Sequence, residues 1–265
     1  MKQLAFLLLL VTGMLGCTKE VGKDNNTPYQ QDTVPAKPYI QGNLNMQKFV
    51  ENKFTSNGSV YFNYHESVYG YFADWTNYPN QVNLVNAGNI SLEDSMLQTD
   101  ANYNYQLMHN NPNSAAGWSG FLDGYKIWKL TSSPNPYIKN FSASAPTAFP
   151  SLLLTHFTAV PIIDRKHPYT LSWNNTTPAD DIEVLLVTKN KVISSSGLLA
   201  DNGTYTFSPA DLATLLPSTV NTGTGNMSED YIQINGIKKK ALTFAAPGGV
   251  WIQNIATNRI TVVIR

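Results

Sequence analysis

Apolar and polar residues alternate in short runs along most of the chain. Tyr169, Leu171 and Trp173 alternate with Thr170, Ser172 and Asn174. The same two-residue period recurs in Val60, Phe62 and Tyr64, in Ile182, Val184 and Leu186, in Tyr205 and Phe207, in Ile232 and Ile234, and in Ile260, Val262 and Ile264. A period of two places one set of side chains on one face of a pleated strand, so each run predicts a half-buried β-strand. Turn signals stand between the runs: Asn57-Gly58, Ala87-Gly88-Asn89, Asp123-Gly124, Asp201-Asn202-Gly203, Asn235-Gly236 and Pro247-Gly248-Gly249. Short strands broken by such turns predict antiparallel sandwiches or barrels. Helical periods are scarce, and one helix is predicted. Ser208 is its capping hydroxyl, Pro209 takes the first helical position, Asp211 sits near the positive end of the dipole, and Leu212, Leu215 and Leu216 form its apolar face before Pro217 ends it.

The ends of the pattern set the domain organisation. Residues 1–16 combine a positive start with an apolar run at 4–11, far shorter than the roughly 20 residues that span a bilayer, and read as a secretory signal peptide. Residues 17–41 are polar, punctuated by proline and without apolar period, which predicts a flexible tether with an end-to-end span of roughly 25 to 30 Å. A boundary is expected near residue 140, where SSPNPYIKNFSASAPTAFPS concentrates proline and small residues. The predicted fold class is therefore all-β in two β units, 42–140 and 141–265. In the first unit, strands are expected at 59–64, 68–72, 81–85, 102–108 and 124–130, with no topology assigned.

Two resemblances sharpen this reading. Gly13-Met14-Leu15-Gly16-Cys17 resembles the lipobox of Gram-negative bacterial lipoproteins, with methionine where that family usually has leucine. It implies cleavage before Cys17, lipid on its sulfur and outer-membrane attachment on the periplasmic or cell-surface face. Cys17 is the single cysteine, so an intramolecular disulfide is excluded. Within the tether, Asp32-Thr33-Val34 resembles a bacterial O-glycosylation triad. In the second unit, Leu171-Ser172-Trp173 followed by Pro178 resembles the second strand of a fibronectin type III or immunoglobulin-like sandwich, with Trp173 as its core tryptophan. The long loop between Pro217 and Tyr231 departs from that family's spacing.

Composition narrows the functional classes. Charged residues are 14% of the chain against about 25% in typical soluble domains. Its 28 asparagines, with abundant Ser, Thr and Tyr, supply polarity as amides and hydroxyls. The formal net charge is zero, which gives no general field for nucleic acid. The one basic run, Lys238-Lys239-Lys240, is expected to be solvated beside a turn at Asn235-Gly236.

No catalytic pattern emerges. Gly117-Trp118-Ser119-Gly120-Phe121 lacks the closing glycine of a nucleophile elbow and reads as a loop. His65, His109, His156 and His167 never take zinc-ligand spacing, so no metal site and no cofactor are predicted. Asp74, Glu93, Asp94, Asp123, Asp180 and Asp181 form no identifiable pair, and Asp201-Asn202-Gly203 lacks the remaining ligands of a calcium loop. Aromatic rings are the suggestive feature, because rings at a wet surface stack on sugar rings while neighbouring amides bind hydroxyls. Trp75, Tyr78 and Trp118 are the candidate ligand-binding residues, Trp75 and Tyr78 in a turn-rich stretch beside Asn77, Pro79 and Asn80. The expected function is a non-catalytic surface binding or scaffold component whose partner is a glycan or an envelope protein. An exported glycan hydrolase and a pilus or adhesin subunit are the alternatives.

Overall fold

The computed structural model describes residues 38–54, 60–109, 121–154, 159–218 and 229–265. Cys17, most of the tether, Trp118, His156 and Asn57-Gly58 lie outside them. The fold is all-β. Its first strands in chain order are β1 (Ile40–Phe54), β2 (Val60–Asp74), β3 (Asn83–Leu84), β4 (Asn89–Leu92), β5 (Ser95–Met96), β6 (Gln98–Thr99), β7 (Tyr105–His109), β8 (Ile127–Thr131) and β9 (Phe141–Ser144). Then come β10 (Leu153–Leu154), β11 (Ile162–Ile163), β12 (Tyr169–Asn174), β13 (Asp181–Val187), β14 (Val192–Ser194) and β15 (Thr204–Phe207). A short helix, α1 (Pro209–Leu212), precedes β16 (Tyr231–Leu242), β17 (Val250–Thr261) and β18 (Val263–Ile264).

One long sheet runs in the order β14-β13-β16-β17-β1-β2-β7-β6, with β3 also paired to β2. Its neighbours are antiparallel except for β1 and β17, which lie parallel from Gly42 opposite Val250 to Asn52 opposite Ile260. Two smaller sheets, β5-β4-β8-β9 and β10-β12-β15, and a parallel pair, β11-β18, complete the fold.

Alternation along the long strands sends their apolar residues to one face. Leu44, Met46, Phe72 and Ile252 pack there against Ile90, Leu92, Trp128 and Leu130 of β4 and β8. Farther along the same face, Ile182, Val184, Ile232, Ile234 and Ile260 pack against Leu171, Trp173 and Phe207 of β12 and β15. The second group is a β-sandwich, three strands over four. Each fully buried aliphatic or aromatic side chain stabilises by about 1.5 to 3 kcal/mol, so these two clusters dominate the fold.

Between the clusters the same face turns polar, and the segment 145–152 crosses it. Asn254 Nδ2 donates to the carbonyls of Pro146 (2.8 Å) and Ala148 (3.0 Å), and Asn258 Nδ2 donates to that of Leu152 (3.0 Å). Gly236 lies beneath this crossing, where an added Cβ would come within 3.1 Å of both Pro150 and Leu152. Asn235-Gly236 is accordingly not the expected turn. Both residues are extended in the middle of β16, because glycine here makes room for a neighbouring segment. Lys238, Lys239 and Lys240 likewise belong to a strand, with Lys239 bound to Asp181 of β13 across the ladder (2.6 Å).

Other expectations are met or adjusted locally. Gly88, Gly124, Gly203 and Gly249 take positive φ at four of the expected turns. Ser208 caps α1, accepting from the Asp211 amide, and Leu212 and Leu215 are buried. Leu216 is 61% exposed, a correction, since the helix stops at Leu212 and the turn after it points this side chain outward. Around the strand expected at 81–85 only Asn83 and Leu84 pair, and the strands expected at 102–108 and 124–130 begin later, at Tyr105 and Ile127. The long sheet's other face carries a polar row over five strands. Asn235 donates to Glu183 (2.9 Å) and accepts from Thr257 (3.0 Å), Thr257 accepts from Gln47 (3.0 Å), and Gln47 accepts from Ser67 (3.4 Å).

Candidate functional site

Trp75 and Tyr78 stand at one end of the long sheet, in the loop that follows β2. The loop is fixed by backbone bonds: Trp75 N donates to Tyr39 O (2.8 Å) and Tyr78 N to Trp75 O (3.0 Å). Asp74 accepts from the Thr76 amide (2.9 Å) and from the Thr76 hydroxyl, an Asx turn that orients the chain as it leaves the strand. The two rings meet with centroids 5.5 Å apart at 53°, Trp75 half-buried and Tyr78 exposed. The Trp75 indole N–H is buried without a hydrogen-bond partner among the described residues.

Segments distant in sequence bring further rings to the same end. Tyr39 precedes β1 and lies against the β16-β17 hairpin, where Gly248 N donates to Ile40 O (2.7 Å). Phe244 belongs to that hairpin, and Tyr137 to a loop held to it by Lys139 N donating to Ala245 O (2.9 Å). Tyr39, Tyr78, Tyr137 and Phe244 are between 42% and 56% exposed. Beside them opens a hollow of about 340 Å³ lined by Asp74, Asn86, Pro134, Asn135, Pro136 and Tyr137 among others. Asn86 is oriented by accepting from the Gly88 amide (2.9 Å) and the Tyr105 hydroxyl (3.2 Å). Burial pushes the Tyr105 phenol above its ordinary range, so it remains a neutral donor.

This end presents apolar ring faces, fixed amides and one carboxylate. Asp74 is the only acid among the residues lining the hollow, whereas general acid and base catalysis at a glycosidic bond needs two facing carboxyls. The remaining candidate carboxylates are spread over the fold. Glu93 accepts from Ile127 N (2.6 Å), Asp94 faces Lys129 (3.7 Å), Asp180 accepts from Lys239 N (2.8 Å) and Asp123 binds Lys48. Asp201 accepts from the Trp173 indole (2.9 Å) and from the amides of Ala179 (2.8 Å) and Gly203 (3.2 Å), so it organises the second core. No group of three or more His, Cys, Asp or Glu that could hold a metal ion occurs among the described residues. His65 stacks on Phe49 at 4.4 Å, and His167 pairs with Asp164 at 2.8 Å on the surface.

Of the three sequence candidates, Trp75 and Tyr78 come together. Tyr39, Tyr137 and Phe244 were not singled out. Each is an aromatic residue outside any alternating run and beside proline or a turn, the same signal that marked Trp75.

No family model and no curated relative matches the sequence. Solved structures that overlap it in part include a Ca2+-stabilised adhesin with which an Antarctic bacterium binds ice, at 10% identity and a TM-score of 0.22 over 84% of this chain and 48% of that one. Another is a 1.5-MDa bacterial ice-binding adhesin, at 10% identity and a TM-score of 0.20 over 84% of this chain and 65% of that one. A third is the SGBP-B protein of a Bacteroides ovatus mixed-linkage glucan utilization locus, in complex with a heptasaccharide, at 12% identity and a TM-score of 0.19 over 82% of this chain and 46% of that one. This chain spans less than two thirds of the length of each. At such TM-scores the overlaps assign no side chain.

Proposed function

We propose that this protein is a non-catalytic component of the cell envelope, held to the outer membrane through lipid on Cys17 and binding glycan with its aromatic end. One observation carries the binding reading: four exposed rings and Trp75, contributed by four separate segments, lie at one end of the long sheet, where Tyr137 lines a hollow that Asn86 and Asn135 also line. Converging exposed rings stabilise the fold little, whereas stacking on a sugar ring removes apolar area from water on both partners. A hollow with Asp74 as the one acid among its lining residues supports a binding role over hydrolysis. The C-terminal sandwich is read as fibronectin type III-like. Its pairing orders, β10-β12-β15 facing β14-β13-β16-β17, support that reading.

A glycan array followed by calorimetry on the best hit tests the site. Trp75→Ala should weaken binding at least tenfold, and Tyr78→Ala, which removes an exposed ring, should weaken it several-fold with unchanged thermal unfolding. A blank array, together with no envelope partner in crosslinking, would overturn the binding reading. The anchor is checked separately: labelled palmitate should enter the wild-type protein and not Cys17→Ser.

A further inference from the structure

Three polar side chains line the hollow at the aromatic end, and each is held by one atom while another is left uncommitted. Asp74 takes both of its bonds at Oδ1, from the Thr76 amide (2.9 Å) and from the Thr76 hydroxyl. Thr76 is fixed in turn, since its Oγ1 accepts from the Tyr39 amide (2.8 Å). The other carboxylate oxygen, Asp74 Oδ2, has no partner among the described residues and is not sealed from solvent. Asn135 accepts from the Tyr137 amide at Oδ1 (3.0 Å), and Asn86 Oδ1 accepts from the Gly88 amide and the Tyr105 hydroxyl. These bonds orient both side chains, so each directs its NH2 away from those partners, with no protein acceptor among the described residues.

The hollow thus offers two donors and one acceptor beside the Tyr137 ring, which is 42% exposed. Its charge selects among sugars. Asp74 is the one acid in the lining, and among the described residues no Lys, Arg or His lines it. A uronic acid or a sulfated sugar therefore brings a like charge against a carboxylate that no cation offsets. A hydroxyl serves all three groups, because it donates to the carboxylate and accepts from the amides, whereas an ammonium gains nothing from two donors. We infer that the aromatic end takes neutral sugar units and rejects anionic ones, and that Asp74 sets this selectivity. The inference rests on the glycan reading of the same end and adds the class of sugar.

The test is calorimetry on the full chain with cello-, manno- and galacto-oligosaccharides beside oligoglucuronates, oligomannuronates and oligogalacturonates. A chelator is present throughout, so that no divalent cation bridges two carboxylates. At least one neutral series should bind, its uronate counterpart at least about tenfold more weakly at low salt, and the gap should narrow as salt screens the repulsion. Asp74→Asn keeps an acceptor oxygen for Thr76 and removes the charge, so the ratio of the two affinities should fall at least threefold. Asn135→Asp keeps the acceptor for the Tyr137 amide and adds a charge, so the ratio should widen. No binding in any series overturns the glycan reading and this inference with it. Neutral and uronate series bound alike, or a ratio unmoved by Asp74→Asn or by Asn135→Asp, overturns the selectivity alone.

Discussion

Lys48 and Glu66 sit directly opposite each other in the β1-β2 ladder, on the face that buries both cores, with 3.7 Å between ammonium and carboxylate. Glu66 is 1% exposed and also accepts from the Leu122 amide (3.1 Å) and the Tyr64 hydroxyl (3.4 Å). Burial, then the charges of Glu66 and Asp123, pushes the Tyr64 phenol up to about 12. Glu66→Ala leaves the Leu122 amide without its acceptor and removes one of the two carboxylates beside Lys48, and should destabilise by about 1 to 3 kcal/mol. Lys48→Met with Glu66→Leu removes both charges and should recover part of that loss. Urea unfolding midpoints of the two variants check the order.

Gly236→Ala tests the crossing of segment 145–152 over the sheet. A methyl group 3.1 Å from the Pro150 and Leu152 side chains requires them to give by a few tenths of an ångström. The expected cost is about 1 to 3 kcal/mol, the range for overpacking. A thermal melt at or above the wild-type midpoint would show that the segment yields freely.

Asp201 joins Trp173 to the turns before β13 and β15. Asp201→Ala leaves the indole N–H and two amides without their acceptor, at an expected cost of about 2 to 3 kcal/mol. Asp201→Asn keeps an acceptor oxygen for the indole and should lose less. Tryptophan fluorescence followed through chemical unfolding ranks the two.

His65 gives the fold a pH dependence of known sign. Burial against Phe49 lowers its pKa, Glu51 opposes the shift and Arg259 adds to it. The folded state thus favours neutral imidazole. Its contribution is fully present above the ordinary histidine value of about 6.5 and is lost as pH falls through that value toward the lower folded one. The wild type should lose more stability than His65→Gln between neutral and mildly acidic pH, measured as the difference in urea midpoints.

The strands that could be read from the sequence are those with at least a short run of apolar residues on one face, such as Ile232 and Ile234 at the start of β16. Tyr169–Asn174 is the clearest, because nothing polar interrupts its inward side. β1 was hidden by the seam: its inward residues run Leu44, Met46, Lys48, so the apolar period breaks where the two cores part. Asn235-Gly236 carried a genuine turn signal, but only the distant Pro150 and Leu152 explain why glycine is needed there. The aromatic end was legible in Trp75 and Tyr78. Its remaining rings arrive through pairings that no local window contains.

The parallel seating of β1 against β17 joins side chains as far apart as Gln47 and Thr257, which are 210 positions apart. Closing so long a loop is slow, since its entropy is lost before the contacts form. β1, β2, β7 and β6 pair among themselves, but their join to β13 and β16 has to wait until β17 has been made.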